Sequence, residues 1–380
     1  VQFADIIGLT EIKQTLVRAV QTGHVAHAQL FLSKPGGGAL ALALAYATLV
    51  NCENLTPEST DACGTCPTCH KFKKLIHPDL HFVFPTATTK KVAKREDAVS
   101  RAFLVEWRAF LLQGGGLYAG LPDWAAAVGA ENKQCIIPVA EGRNIIRDLS
   151  LKAFEANYKI MLIWLPELMN ANAANAILKV LEEPPDQTLF LMVSQSLDSL
   201  LPTVLSRTQL VAVRPFTDRE VKQFLVGAFG LPEAHAHSLA VLADGSLGEA
   251  RRLSNGAADT SQGRFRDWMR LCFRMDVGTL VKEADKFNAL DKEEQKGLLL
   301  YGLTTLRESL IYLHAGEALL RLEAESLEFV RNFSKVLNDR NASSIAQKFN
   351  EAHAHIERNA SPKMVFLDLS LQVAQLFRVK

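Results

Sequence analysis

The stretch Gln29–Leu44 reads QLFLSKPGGGALALAL. The apolar run Leu30-Phe31-Leu32 meets Ser33-Lys34-Pro35-Gly36-Gly37-Gly38, and the alanine–leucine run from Ala39 onward is expected to be a helix. Strand, glycine loop and helix in that order build a phosphate-binding loop, because glycines let backbone N–H groups close round an anion at a helix N-terminus. Setting Gly38 on the second glycine of the pattern G-x-x-x-x-G-K-[ST] puts Ser33 at the first glycine, Ala39 at the lysine and Leu40 at the hydroxyl residue. The frame is kept, but the side chains that reach the phosphates and hold magnesium are absent. Lys34 sits at the start of the loop and does not replace the lysine. An ordinary glycine-rich βα turn is the competing reading of these residues alone.

Outward from this loop, the chain reads as α/β and then all-α. Residues 3–26 carry apolar side chains at helical spacing and are expected to form one amphipathic helix before the first strand. Leu80–Phe84, Lys159–Leu165 and Thr188–Val193 are apolar runs without polar alternation, as in parallel strands covered on both faces. Asn170–Leu181 is expected to be a helix stopped by Pro184-Pro185. Ile145, Ile146, Leu149 and Phe154 mark another. Thr217-Asp218-Arg219-Glu220 has the spacing of a capping box. Beyond residue 256 only helical periodicity remains, over Phe265–Phe273, Gln295–His314, Leu327–Leu337, Ile345–Ile356 and Met364–Leu376.

Between the loop helix and the second strand lie Cys52, Cys63, Cys66 and Cys69, spaced C-x10-C-x2-C-x2-C. Each tight C-x-x-C turn aims two thiolates at one centre, which suits tetrahedral zinc, and four thiolates leave no open position for catalysis. A structural zinc is therefore expected, with His70 a less suitable ligand than Cys52. Cys135 and Cys272 stand alone in apolar surroundings and are expected to be buried. Residues 86–142 read as an insertion. Its polar, basic start, Thr86–Arg95, is expected to be a mobile, solvated loop, and helices are expected near Phe103–Leu111 and Trp124.

The formal net charge over 380 residues is +1, so any nucleic-acid contact must be a local patch. No apolar run is long enough to span a bilayer, and no signal-peptide build is seen at the start, so a cytoplasmic protein is expected.

Several motifs together resemble the clamp-loader branch of the AAA+ ATPases. They are His27-Ala28-Gln29-Leu30-Phe31, the four-cysteine module, Leu151-Lys152-Ala153-Phe154-Glu155, Asn175–Pro185, Leu200–Arg207 and Gly245–Ala250. The resemblance implies a RecA-like parallel sheet over residues 1–214 with a zinc module at about 52–70, a helical lid at 215–255 and a helical, oligomerising collar at 256–380. Trp164-Leu165-Pro166-Glu167 stands where the family's ATPases carry the carboxylates that hold magnesium and orient water. Gly248 stands where they carry a second phosphate-sensing arginine, and Arg251 and Arg252 are expected to face solvent or a partner. ATP is thus expected to be neither bound nor hydrolysed by this chain.

Ser206-Arg207-Thr208 matches the family's Ser-Arg-Cys motif, which implies that Arg207 reaches ATP on a neighbouring subunit. The implied partners are gamma/tau-like ATP-binding subunits, a delta-like clamp opener, the sliding clamp and primed DNA. An active ATPase with an unusual loop and a zinc-dependent nucleic-acid-binding module are the alternatives.

Overall fold

A computed structural model describes residues 1–113, 116–131, 133–254, 258–320 and 324–378. Gly114 and Gly115 of the insertion's glycine triplet, and the boundary expected between lid and collar at 255–256, lie outside them. The chain separates into two compact units, one of Val1–Glu220 with Asp244–Glu249, the other of Val221–Ala243 with Ala250–Lys380.

The first unit is built on a five-stranded parallel sheet of the RecA-like kind. Its strands are β1 (Ala28–Leu32), β2 (Leu80–Val83), β3 (Lys159–Trp164), β4 (Thr188–Ser194) and β5 (Gln209–Ala212), in the order β2-β3-β4-β1-β5. Every residue of β3 and β4 is buried, which is why these strands read as unbroken apolar runs. The register pairs Leu30 with Met192 and Met161 with Phe190, putting both in one core with Ile145, Leu149, Ile177 and Leu181 of the covering helices.

All of helix Ala39–Val50 is buried, so its alternating alanines and leucines pack on every side. Burial of each leucine stabilises the unit by about 1.5–3 kcal/mol, and the alanines let neighbouring backbones close in.

The first helix is shorter than its periodicity suggests. It spans Thr10–Gln21 only, because Gly8 and Leu9 adopt left-handed φ of 58° and 54° and separate it from a short turn at Phe3–Asp5. Phe154 is not part of the helix before it either. That helix ends at Leu149, and Phe154 stands 81% exposed on a loop. The Asp79 carboxylate holds the loop by accepting the N–H groups of Phe154, Glu155 and Ala156 at 2.7, 2.9 and 3.0 Å.

The insertion is a packed body rather than an open loop. Thr86 exchanges two backbone hydrogen bonds with Ile136 at 2.8 and 3.0 Å, closing its neck. Pro85, Thr86, Ala87 and Thr89 are buried, so the expected mobility of Thr86–Arg95 does not hold for its first half; only Lys90 onward turns to solvent. Helices Leu104–Leu112 and Leu121–Ala127 carry Trp107 and Trp124, both fully buried. Trp107 stacks on Phe84 at 4.3 Å between ring centres, and Trp124 Nε1 donates to the Pro85 carbonyl at 2.8 Å.

The second unit is helical. Its described core gathers Phe265, Trp268, Phe287, Phe349 and Phe366, with Trp268 stacked on Phe366 at 4.4 Å and its Nε1 donating to Ser370 at 2.8 Å. Cys272 lies in this core, and Cys135 is buried in the insertion. Among the described residues no helix is long and apolar enough to cross a membrane.

Candidate functional site

Three features at or near the sheet come from the residues singled out above: the glycine loop, the four-thiol cluster and Arg207. In the loop, Lys34-Pro35-Gly36-Gly37 makes a tight turn, with Pro35 second, Gly36 third at φ 74°, and the Gly37 N–H donated to the Lys34 carbonyl at 3.0 Å. That N–H therefore points back into the loop. Gly38 precedes helix Ala39–Val50, and a Cβ there would come within 2.8 Å of Leu9 and 3.0 Å of Phe216. Ala39 and Leu40 are 1% and 4% exposed. Ser33, at the first glycine position, is buried beside Gly37, with its N–H on the Ser194 carbonyl.

The mouth of this loop is covered by the segment Asp244–Glu249, a turn followed by the first residues of helix Leu247–Arg252. Ser246 Oγ donates to the Pro35 carbonyl at 3.0 Å, the Gly248 N–H donates to the Gly36 carbonyl at 3.2 Å, and Lys34 pairs with Asp244 at 3.5 Å. A side chain at 248 has no space. Its Cβ would lie 2.3 Å from the Tyr118 carbonyl oxygen and 2.9 Å from the Gly36 Cα. At the carboxyl end of β3, Trp164 and Leu165 are buried, Trp164 against Trp107 at 5.1 Å. Glu167 turns away to accept the Gln195 N–H at 2.8 Å, and burial raises its carboxyl above the usual range. Arg251 and Arg252 are half-buried rather than open to solvent, and the Arg252 guanidinium lies along Gly297.

The cysteines Cys52, Cys63, Cys66 and Cys69 are brought together, with all four sulfur atoms within 4.8 Å of one another. The fold arranges this with a loop at Gly64, φ 72°, and the short helix Pro67–Lys73, whose first residues place Cys66 and Cys69 one turn apart. Backbone N–H groups of Cys63, Cys66 and Cys69 donate to the sulfurs of Cys52, Cys63 and Cys66 at 3.3, 3.3 and 3.4 Å. Burial opposes ionisation, yet the donors from Thr65 and Cys66 bring the Cys63 thiol down to about 6. Burial raises Cys52 and Cys69.

This donor set fits a tetrahedral soft-metal shell, and exposed His70 lies outside it. Asp61 fastens the module to the start of the chain by accepting the N–H groups of Phe3 and Ala4 at 3.1 and 2.8 Å.

Arg207 follows the helical turn Pro202–Leu205 at the entry to β5. Its guanidinium donates to the Thr203 carbonyl at 2.9 Å and the Ser206 hydroxyl at 3.2 Å, and it pairs with Glu182 at the end of helix Ala171–Glu182. The side chain is 28% exposed, so the guanidinium is held at the surface. Glu182 and Tyr118 were not singled out as site residues from the sequence; the motif holding Glu182 was its only signal, and Tyr118 had none.

A family model described as "DNA polymerase III, delta subunit" matches residues 8–217. DNA polymerase III subunit delta' of Bacillus subtilis (strain 168) is 24% identical over 215 residues, 57% of this chain and 50% of that protein. DNA polymerase III subunit tau of Escherichia coli (strain K12) is 24% identical over 269 residues, 69% of this chain and 34% of that protein. The delta' subunit of the same organism is 24% identical over 305 residues, 80% of this chain and 75% of its own length. The chain thus spans half or less of the length of the first two of these relatives.

Proposed function

The chain belongs to the DNA polymerase III delta-subunit family, and on that premise we propose that it is a non-hydrolysing, delta-prime-type subunit of a clamp loader. In this reading it turns over no ATP itself and offers Arg207 to ATP held by a neighbouring subunit. One observation carries the first half: the loop mouth is covered by Ser246 and Gly248, with Ala39, Leu40 and Trp164 buried where phosphoryl transfer needs a lysine, a hydroxyl and a carboxylate. Relatives named as tau subunits favour the alternative, an active ATPase, and phosphate release by the pure chain with magnesium separates the two.

Arg207 suits the second half because a planar, permanently charged guanidinium grips phosphate oxygens in a fork. Its present partner is an exposed carboxylate, and a surface pair of this kind holds for about 0–1 kcal/mol, so phosphate charge can displace it. The partners in this reading are gamma/tau-like ATP-binding subunits and a delta-like clamp opener, acting on the sliding clamp and primed DNA in the cytoplasm. Residues 1–214 would form the RecA-like domain, 215–255 the lid and 256–380 the oligomerising collar. Cys52, Cys63, Cys66 and Cys69 would hold one structural zinc. Such an ion supplies cross-linking of the loop rather than chemistry, since four thiolates close its shell. The test is reconstitution with the other subunits, followed by ATP hydrolysis and clamp loading by the parent and Arg207→Ala complexes.

A further inference from the structure

In open α/β sheets a ligand binds at the carboxyl ends of the strands, and a phosphate is held at the loop following the first of them. Here that end of the sheet is lined by the insertion. Trp107 packs against Trp164 at the end of β3, at 5.1 Å, and against Phe84 after β2, at 4.3 Å. From the same body, the segment Gly116–Tyr118 reaches the glycine loop's side of the cleft. The Tyr118 carbonyl oxygen abuts Gly248, whose Cα abuts Gly36, and the Tyr118 ring meets Phe216 edge-on at 6.0 Å. Phe216 in turn closes on Gly38. Tyr118 is 8% exposed, and burial, with the nearby Asp5 carboxylate, pushes its hydroxyl up to about 12.

We infer that residues 104–113 and 116–124 are a built-in occupant of the cleft in which a nucleotide would lie. The insertion stands in for the ligand and holds the glycine loop and the segment Asp244–Glu249 together without one. The inference rests on the reading of this site as non-hydrolysing, and it adds what fills the site and why a fourth position, Gly248, has no side chain. An arginine at 248 is incompatible with the path of this segment, because its Cβ would meet the backbone carbonyl of residue 118 and the Gly36 Cα. A lysine at 39 alone would therefore not admit nucleotide.

Hydrogen–deuterium exchange on the full chain tests this, with and without millimolar magnesium ATP, alongside phosphate release from the same samples. Peptides covering 34–40 and 244–249 are expected to exchange at least about tenfold more slowly than the exposed stretch 90–95, and to be unchanged by ATP. In Tyr118→Ala, exchange in both peptides is expected to rise together, several-fold. In Gly248→Ala, where the added methyl meets the Tyr118 carbonyl, the Tm is expected to fall and exchange at 116–118 to rise. Protection of 34–40 appearing only with ATP would overturn the inference, as would faster exchange in Tyr118→Ala confined to the peptide that contains the substituted position. Fast exchange at 34–40 with no ATP turnover would sink the occupant and leave the non-hydrolysing reading standing. Phosphate release would sink that reading instead.

Discussion

Arg207 is held by a carbonyl, a hydroxyl and the Glu182 carboxylate at the sheet's edge, and this arrangement allows its two roles to be separated. If it only braces its own loop, Arg207→Ala, which removes all three contacts, lowers the Tm of the lone chain in step with the ATPase of the complex. If it acts on a neighbour's ATP, Arg207→Ala lowers the ATPase of the reconstituted complex far more than Glu182→Gln. A trans arginine is worth on the order of 10³–10⁵ in rate in the best-studied GTPases, and one site among several shows less. We expect at least about a tenfold loss at the affected site for Arg207→Ala, little rescue by Arg207→Lys, and less than about threefold for Glu182→Gln. A Tm of the lone Arg207→Ala chain that falls in step with the ATPase of the complex would mark a structural role.

Glu220 gives a pH prediction at the same scale. Hydrogen bonding from Arg214 lowers its carboxyl from 4.5 to about 2, against the opposing effect of burial, while it closes the capping box with Thr217. Because the folded value lies below the unfolded one, the contribution is complete above about 4.5 and is lost as pH falls toward 2. Urea melts should show Glu220→Gln less stable than the parent at pH 7, with the difference shrinking by pH 3.

Among elements, the loop helix and the four-thiol module make contrasting demands. Helix Ala39–Val50 is buried on every side, so Ala39→Lys places an ammonium where Trp164 and Leu165 fill the end of β3 and the Glu167 carboxylate is turned to the Gln195 N–H, a penalty of several kcal/mol. We expect Ala39→Lys to lower the Tm and to restore no ATPase; a stable, ATP-hydrolysing variant would show the site to be misread. The thiol module has only a small apolar cluster of its own, so its order depends on what the sulfurs hold. Protein purified without chelator should carry about one equivalent of zinc, and Cys66→Ser should lose it together with part of the thermal stability. Unchanged zinc in Cys66→Ser would refute the assignment.

Four of the five strands were legible because burial on both faces leaves an unmistakable apolar run. β5 was not, since Gln209–Ala212 is a short edge strand with mostly exposed side chains. The break before Thr10 was hidden because Leu9 takes a left-handed φ that its residue type does not announce. At the site, the loss of a lysine at Ala39 and of an arginine at Gly248 could be read from motif positions. Tyr118 could not, because its contact with Gly248 joins residues far apart in the sequence and is made through a backbone carbonyl.

For the whole molecule, the reading we propose is a subunit that senses ATP on its neighbour through the surface arginine and, with its cleft filled by the insertion, holds none itself. With a formal net charge of +1, the lone chain should bind primed DNA weakly, its affinity falling only gently with salt, because few phosphates are neutralised. The most direct test of the central claim is equilibrium binding of magnesium ATP to the pure 380-residue chain, with phosphate release followed in the same cell. The account predicts neither binding nor release at millimolar nucleotide. Stoichiometric binding, or magnesium-dependent phosphate release, would contradict it.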